Sequence, residues 1–270
     1  MSLAELLAIL STAWTRLLLY PAGLAAIAIL WLVWRVNGRP ATTPVLVASS
    51  QPLASLLAIA LPWLGLALMP LPLSAALTRP VDVIVLLSLL EWPRLLAAAR
   101  EFGEGKHARA AAMLNSYPPL VLALLLMHHA TGSFEVQALL QAPPNETVLL
   151  VRLAFWIGAL ALLLVLPAAL GIGPFRAAAV EDAALRVGLK LRALGIAALG
   201  LCPWLTLIPE DYQWLLPVAM LLYGVLLWQL HRRTYGQAAL PWARGLYLLS
   251  IVLLLGLLLL HGLVLIEQLR

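Results

Sequence analysis

Long apolar runs alternate with short polar connections along the whole chain, and these runs set its architecture. A helix needs about 20 residues to cross roughly 30 Å of hydrocarbon. Runs on this scale fall at Leu17–Val36, Leu53–Leu71, Val81–Ala99 and Tyr117–Thr131, then at Val148–Leu170, Leu189–Ile208, Leu215–Leu230 and Gly245–Ile266. The fourth and seventh are the shortest. Prolines and tryptophans gather at several ends (Trp31, Trp34, Pro52, Pro70, Trp204, Pro209, Trp214, Pro241, Trp242), as expected where helices break at a membrane interface. Pro62, Pro93, Pro167 and Pro217 fall within or near the ends of runs and predict kinks there. The pattern predicts an all-α, polytopic integral membrane protein of about eight transmembrane helices, forming one membrane domain over residues 1–270.

Composition agrees with that reading. Hydrophobic residues make up 63% and charged residues 11% of the chain, and the mean hydropathy is +0.99. A soluble domain has about 45–50% apolar and about 25% charged residues, so in water this chain would expose large apolar patches. No cleavable signal peptide is evident: Met1 to Tyr20 lacks a basic start and carries Glu5, and Ala4–Leu19 reads as an amphipathic lead-in to the first run. The single cysteine, Cys202, excludes a disulfide framework and any multi-cysteine metal or iron–sulfur site within the chain. It is expected to be a small buried apolar residue.

Charge gives the topology. The connections after runs one, three, five and seven hold 13 of the 17 basic residues and five acids. One side therefore carries +8 and the other −3, within a net charge of +5. Basic connections stay in the cytoplasm, so both termini are expected on the non-cytoplasmic side. No repeat of 20–50 residues, inverted repeat or separate soluble domain is visible.

Motifs of soluble enzymes are missing: there is no GxGxxG, phosphate loop, HExxH or GxSxG. The basic residues flank membrane runs, so nucleic-acid binding is not indicated. Ionisable groups at membrane depth are costly unless paired, which singles out Glu91 and Arg94 beside Pro93. Their i, i+3 spacing can pair them along one helix face. They read either as a protonatable or quinone-cavity site, or as an interfacial ion pair at a kinked helix end. His128 or His129, with His261 at matching depth, could ligate a haem between two helices; the adjacent pair point about 100° apart, so only one of them could. The two longest basic connections, Arg94–Asn115 and Gly171–Arg192, read either as solvated flanks or as a docking surface for a peripheral partner.

Weak motifs in a consistent order carry a resemblance. They are Arg35-Val36-Asn37-Gly38-Arg39-Pro40 with Gln51-Pro52-Leu53; Gly103-Glu104-Gly105-Lys106 with Arg109-Ala110-Ala111 and Ser116-Tyr117-Pro118; Pro174-Phe175 with Glu181; and Arg233 to Arg244 around Leu240-Pro241. In this order they resemble the H-type membrane subunit of respiratory complex I, and the equivalent subunit of group 4 membrane-bound nickel–iron hydrogenases. The resemblance covers most of the chain and includes the eight spans with external termini. It departs at charged positions. Ser55 and Ala58 stand where the hydrogenase-type loop has an aspartate and a lysine, Tyr117 replaces a glutamate before proline, and Arg176 and Ala179 replace two further acids.

The resemblance implies a multi-pass protein of the bacterial inner membrane that anchors a multisubunit assembly. Arg35, Arg39, Glu104, Lys106, Arg109, Glu181, Asp182 and Arg186 would form the docking connections for a cytoplasmic redox module. Its membrane partners would be antiporter-like subunits, and Glu91 and Arg94 the candidate proton or quinone site. The chain itself would hold no cofactor other than quinone; iron–sulfur clusters and nickel–iron or flavin centres would sit in partner subunits. The lost acids imply a reduced proton path. A stand-alone secondary transporter and a haem-b quinol-reacting anchor are the alternative readings.

Overall fold

The computed structural model describes residues 52–69, 81–100, 104–143, 148–175, 182–208, 215–234 and 237–268. The first apolar run, with Arg35 and Arg39, lies outside them. The described residues are predominantly helical and contain no strand. In chain order the helices are α1 (Pro52–Ala67), α2 (Val83–Arg100), α3 (Glu104–Thr131), the short α4 (Val136–Leu140), α5 (Leu149–Leu170), α6 (Ala183–Leu205), α7 (Leu216–Thr234) and α8 (Ala239–Gln268). Every predicted run from the second onward thus forms a helix.

Several boundaries differ from the sequence expectation. The connection expected over Arg94–Asn115 is helical on both sides: α2 continues to Arg100 and α3 starts at Glu104, well ahead of the apolar run at Tyr117. The connection expected over Gly171–Arg192 gives way to α6 at Ala183. Helices therefore extend beyond their apolar segments into charged ends, which a search for apolar runs truncates. Pro241 and Trp242, expected at a break, sit in the first turn of α8, where a proline costs no intrahelical hydrogen bond.

α6 is the central helix. From Leu191 to Cys202 every residue is buried, and α1, α2, α5 and α7 pack around it. Small residues allow the closest approaches. A Cβ at Gly188 would land on the carbonyl oxygen of Ala58 in α1. Pro62, four residues further on, has no N–H to offer that carbonyl, so glycine alone fits against it. The α3–α5 crossing uses the same device: a Cβ at Gly158 would meet the Ala123 carbonyl oxygen at 2.7 Å. Cys202 is buried and free, as expected of a small apolar core residue.

Apolar side chains also cover the outside. On α8, Leu248, Val252, Leu255 and Leu259 form an exposed stripe with helical spacing, and on α5 Leu153, Ile157, Leu160 and Leu164 form another. Among the described residues, two helical segments, Leu149–Phe175 and Ala239–Gly262, are long and apolar enough to cross a membrane. α1 is apolar but shorter.

The two ends of the bundle are tied differently. At one end, the Val83 N–H donates to the Phe134 carbonyl (2.9 Å) and the Val136 N–H to the Val81 carbonyl (2.8 Å), pairing Asp82 with Glu135. Asp82 also accepts from the Ile84 N–H at 2.7 Å, which caps the start of α2. At the other end, the turn Gly173–Phe175 docks on the close of α7. There the Gly173 N–H donates to Nδ1 of His231 at 3.0 Å, and a Cβ on Gly173 would overlap the Thr234 hydroxyl.

Candidate functional site: a buried charged cluster

Glu91 lies in the middle of α2, one turn below Arg94, and both are 5% exposed. The sequence suggested that these two pair along one helix face. Instead, the carboxylate of Glu91 is held by Arg192, on α6. Nε of Arg192 donates to Oε2 at 2.7 Å and Nη2 to Oε1 at 2.5 Å, a bidentate pair. The same guanidinium donates through Nη1 to the Ala169 carbonyl at 2.6 Å. Ala169 lies in the last turn of α5, where carbonyls lack an intrahelical donor and the helix end is partly negative. Arg192 therefore joins α2, α5 and α6 with three parts of one planar group, an arrangement that a lysine would not reproduce.

α3 contributes Tyr117 and Ser116. The Tyr117 hydroxyl donates to Oε2 of Glu91 at 2.7 Å, giving that carboxylate three hydrogen bonds. Arg94 donates through Nη1 to Oγ of the fully buried Ser116 at 3.2 Å, and its guanidinium lies 5.5 Å from the Tyr117 ring centre. Ser116 Oγ in turn donates to the Met113 carbonyl. Tyr117 reaches across to the carboxylate that α2 supplies.

The other anticipated residues serve several purposes. Asp182 is the N-cap of α6, its side chain accepting from the N–H groups of Ala184 (2.9 Å) and Leu185 (3.2 Å). Arg186 lies in the first turn of α6, half-buried, and its Nε is buried without a hydrogen-bond partner among the described residues. Glu104, Lys106 and Arg109 belong to the first two turns of α3, so they lie on a helix and not in a loop. Glu181, Arg176 and Ala179 lie outside the described residues. Ser55 and Ala58, where the resembling loop has charges, are buried on α1, and Ala58 faces Gly188. A lysine at 58 would not fit that crossing.

His128 stacks on Phe134, with ring centres 3.6 Å apart and planes within 9°, while His261 is exposed on α8. Among the described residues no group of three or more His, Cys, Asp or Glu side chains could hold a metal ion. Sequence reasoning missed Arg192 as the partner of Glu91 because they are 101 residues apart. The available signal was its position: Arg192 lies three residues inside the apolar run that begins at Leu189, where an arginine needs a partner. His231, the acceptor for Gly173, was missed because a histidine at a charged helix end looks solvated.

No protein-family model matches the chain, and no curated protein matches it either.

Proposed function

We propose that this chain is the membrane-anchor subunit of a complex I-like or membrane-bound hydrogenase-like assembly. In this reading it crosses the bacterial inner membrane eight times, with both termini on the non-cytoplasmic side. Its cytoplasmic face docks a peripheral redox module and holds it against antiporter-like membrane subunits. The redox centres belong to the partner chains. Quinone, if the assembly uses it, approaches near the Glu91–Arg94 region.

The observation that carries this reading is the tie between Gly173 and His231. It joins the segment after the fifth run to the end of the seventh, two connections that the charge pattern puts on one side. Arg186 and Lys190 at the start of α6 and Arg232 and Arg233 at the end of α7 belong to the same end of the bundle. Asp82 and Glu135 pair at the opposite end. A basic face braced by a hydrogen bond between two connections of the chain suits a docking platform. The apolar stripes on α5 and α8 suit lipid or apolar membrane partners.

Within that platform the Glu91 cluster acts first as a lock. With both oxygens of Glu91 engaged, proton movement through this site requires Arg192 or Tyr117 to let go. The docking role is tested by charge reversal. Arg109→Glu and Arg186→Glu together should release the peripheral module during purification and leave the membrane-embedded chain folded; unchanged assembly in the double variant contradicts docking at this face.

A further inference from the structure

We infer that the start of α8 binds an anionic phospholipid, with Arg244 holding the headgroup phosphate and the helix face beyond it carrying an acyl chain. α8 packs along α3. Between them lies an open cleft of about 440 Å³, lined by Asn115 of α3 and by Ala243, Arg244, Tyr247 and Leu248 of α8. Arg244 is the one charged residue among these, and it is exposed. A guanidinium fork, an asparagine amide and a tyrosine hydroxyl are all donors to phosphate oxygens, the first of them charge-assisted.

The depth of the cleft follows from the chain. Asn115 lies two residues before the apolar run at Tyr117, and Arg244 immediately precedes the run at Gly245. Both therefore stand where hydrocarbon meets headgroups, close in sequence to Trp242, an interfacial residue type. Beyond the cleft, α8 buries Leu246, Leu253 and Leu260 and leaves Leu248, Val252, Leu255 and Leu259 exposed. Those exposed positions continue from Arg244 in steps of four, four, three and four, so cation and apolar stripe share one helix face. Arg244 to Leu255 rises about 16 Å, the depth of one leaflet of a core about 30 Å thick. A cation at the head of a one-leaflet apolar track matches the shape of a phospholipid. Charge selects the anionic class. The connections on this side carry +8, which attracts headgroups such as glycerol phosphate and works against those whose amine offsets the phosphate. The inference rests on the reading of the chain as a membrane protein with this end at the cytoplasmic face, and not on the assembly it joins.

The test uses the full chain in detergent and native mass spectrometry, with dioleoyl phosphatidylglycerol, dioleoyl phosphatidylcholine and glycerol 3-phosphate as probes. Wild type should retain phosphatidylglycerol in preference to phosphatidylcholine. Glycerol 3-phosphate, which has no chains, should not displace it. In Arg244→Gln the affinity should fall about fivefold or more, the effect of one basic residue at an anionic membrane surface, whereas Arg233→Gln should leave it unchanged. Arg244 is exposed, so Arg244→Gln should melt like wild type. Equal retention of the two lipids, equal affinity in Arg244→Gln, or displacement by glycerol 3-phosphate would overturn the inference. So would cross-linking of Val252→Cys to another polypeptide in native membranes, because a partner helix and an acyl chain cannot share the stripe. A chain that stays soluble without detergent would overturn the membrane reading, and the lipid site with it.

Discussion

Arg192 grips both carboxylate oxygens of Glu91, at 2.7 and 2.5 Å, from a helix 101 residues further along the chain. This pair is the centre of the buried charged cluster, with Ala169 of α5 and Tyr117 of α3 bonded to its two halves. Removing one partner strands the other charge, which costs about 3–5 kcal/mol at buried sites. Replacing both with apolar groups of similar size avoids that penalty. Arg192→Met should therefore lower the unfolding midpoint strongly, and Glu91→Leu combined with Arg192→Met should recover most of the loss. Reaction of the buried Cys202 thiol with a fluorogenic reagent during heating reports the transition directly. An Arg192→Met chain as stable as wild type would show that the pair does not hold the bundle.

Tyr117 sets a smaller, separable effect. Its hydroxyl donates to Glu91 while its ring stands beside Arg94. Tyr117→Phe removes the donor and keeps the ring, so the cost should be about 1.5–3 kcal/mol, the worth of a hydrogen bond to a charged group. Tyr117→Leu should cost more, since it also strips the aromatic face from Arg94. Equal midpoints for the two variants would mean that the ring contributes nothing.

The helix crossings make a sharper steric prediction. Gly188→Ala and Gly158→Ala each push a methyl group into a carbonyl of the facing helix, and both should destabilise the chain by about 1–3 kcal/mol, the usual cost of overpacking. Gly256, on α8, has open space where its Cβ would go. There alanine should be neutral or stabilising by up to about 1 kcal/mol, through helix propensity alone. The same thiol-reactivity melt ranks the three variants.

The helices were largely legible in the sequence, because an apolar run of this length leaves few alternatives to a helix. Their ends were less so. α3 begins 13 residues before the apolar run at Tyr117, since Glu104 to Asn115 is rich in alanine and in residues that favour helix without being apolar. Asp182 looked like a docking acid, and its capping role was also open to reading, since aspartate before an Ala-Ala-Leu segment is a helix-start signal. The site was half visible. Burial cost pointed to Glu91 and Arg94 but not to their partners, because pairing across helices depends on packing that periodicity does not encode. Arg192 closes a charged connection that reads either as solvated or as docking, and Tyr117, which stands where the resemblance has an acid, is a donor to the charge that remains.

The central claim is that this chain works as the anchor of a larger redox and ion-translocating assembly. The most direct test is the composition of the complex recovered when the chain is purified from its own membranes in mild detergent. The account predicts stoichiometric recovery of a peripheral subunit carrying iron–sulfur, nickel–iron or flavin centres, together with at least one antiporter-like membrane subunit. A chain that is recovered alone, stable and without such companions would contradict it.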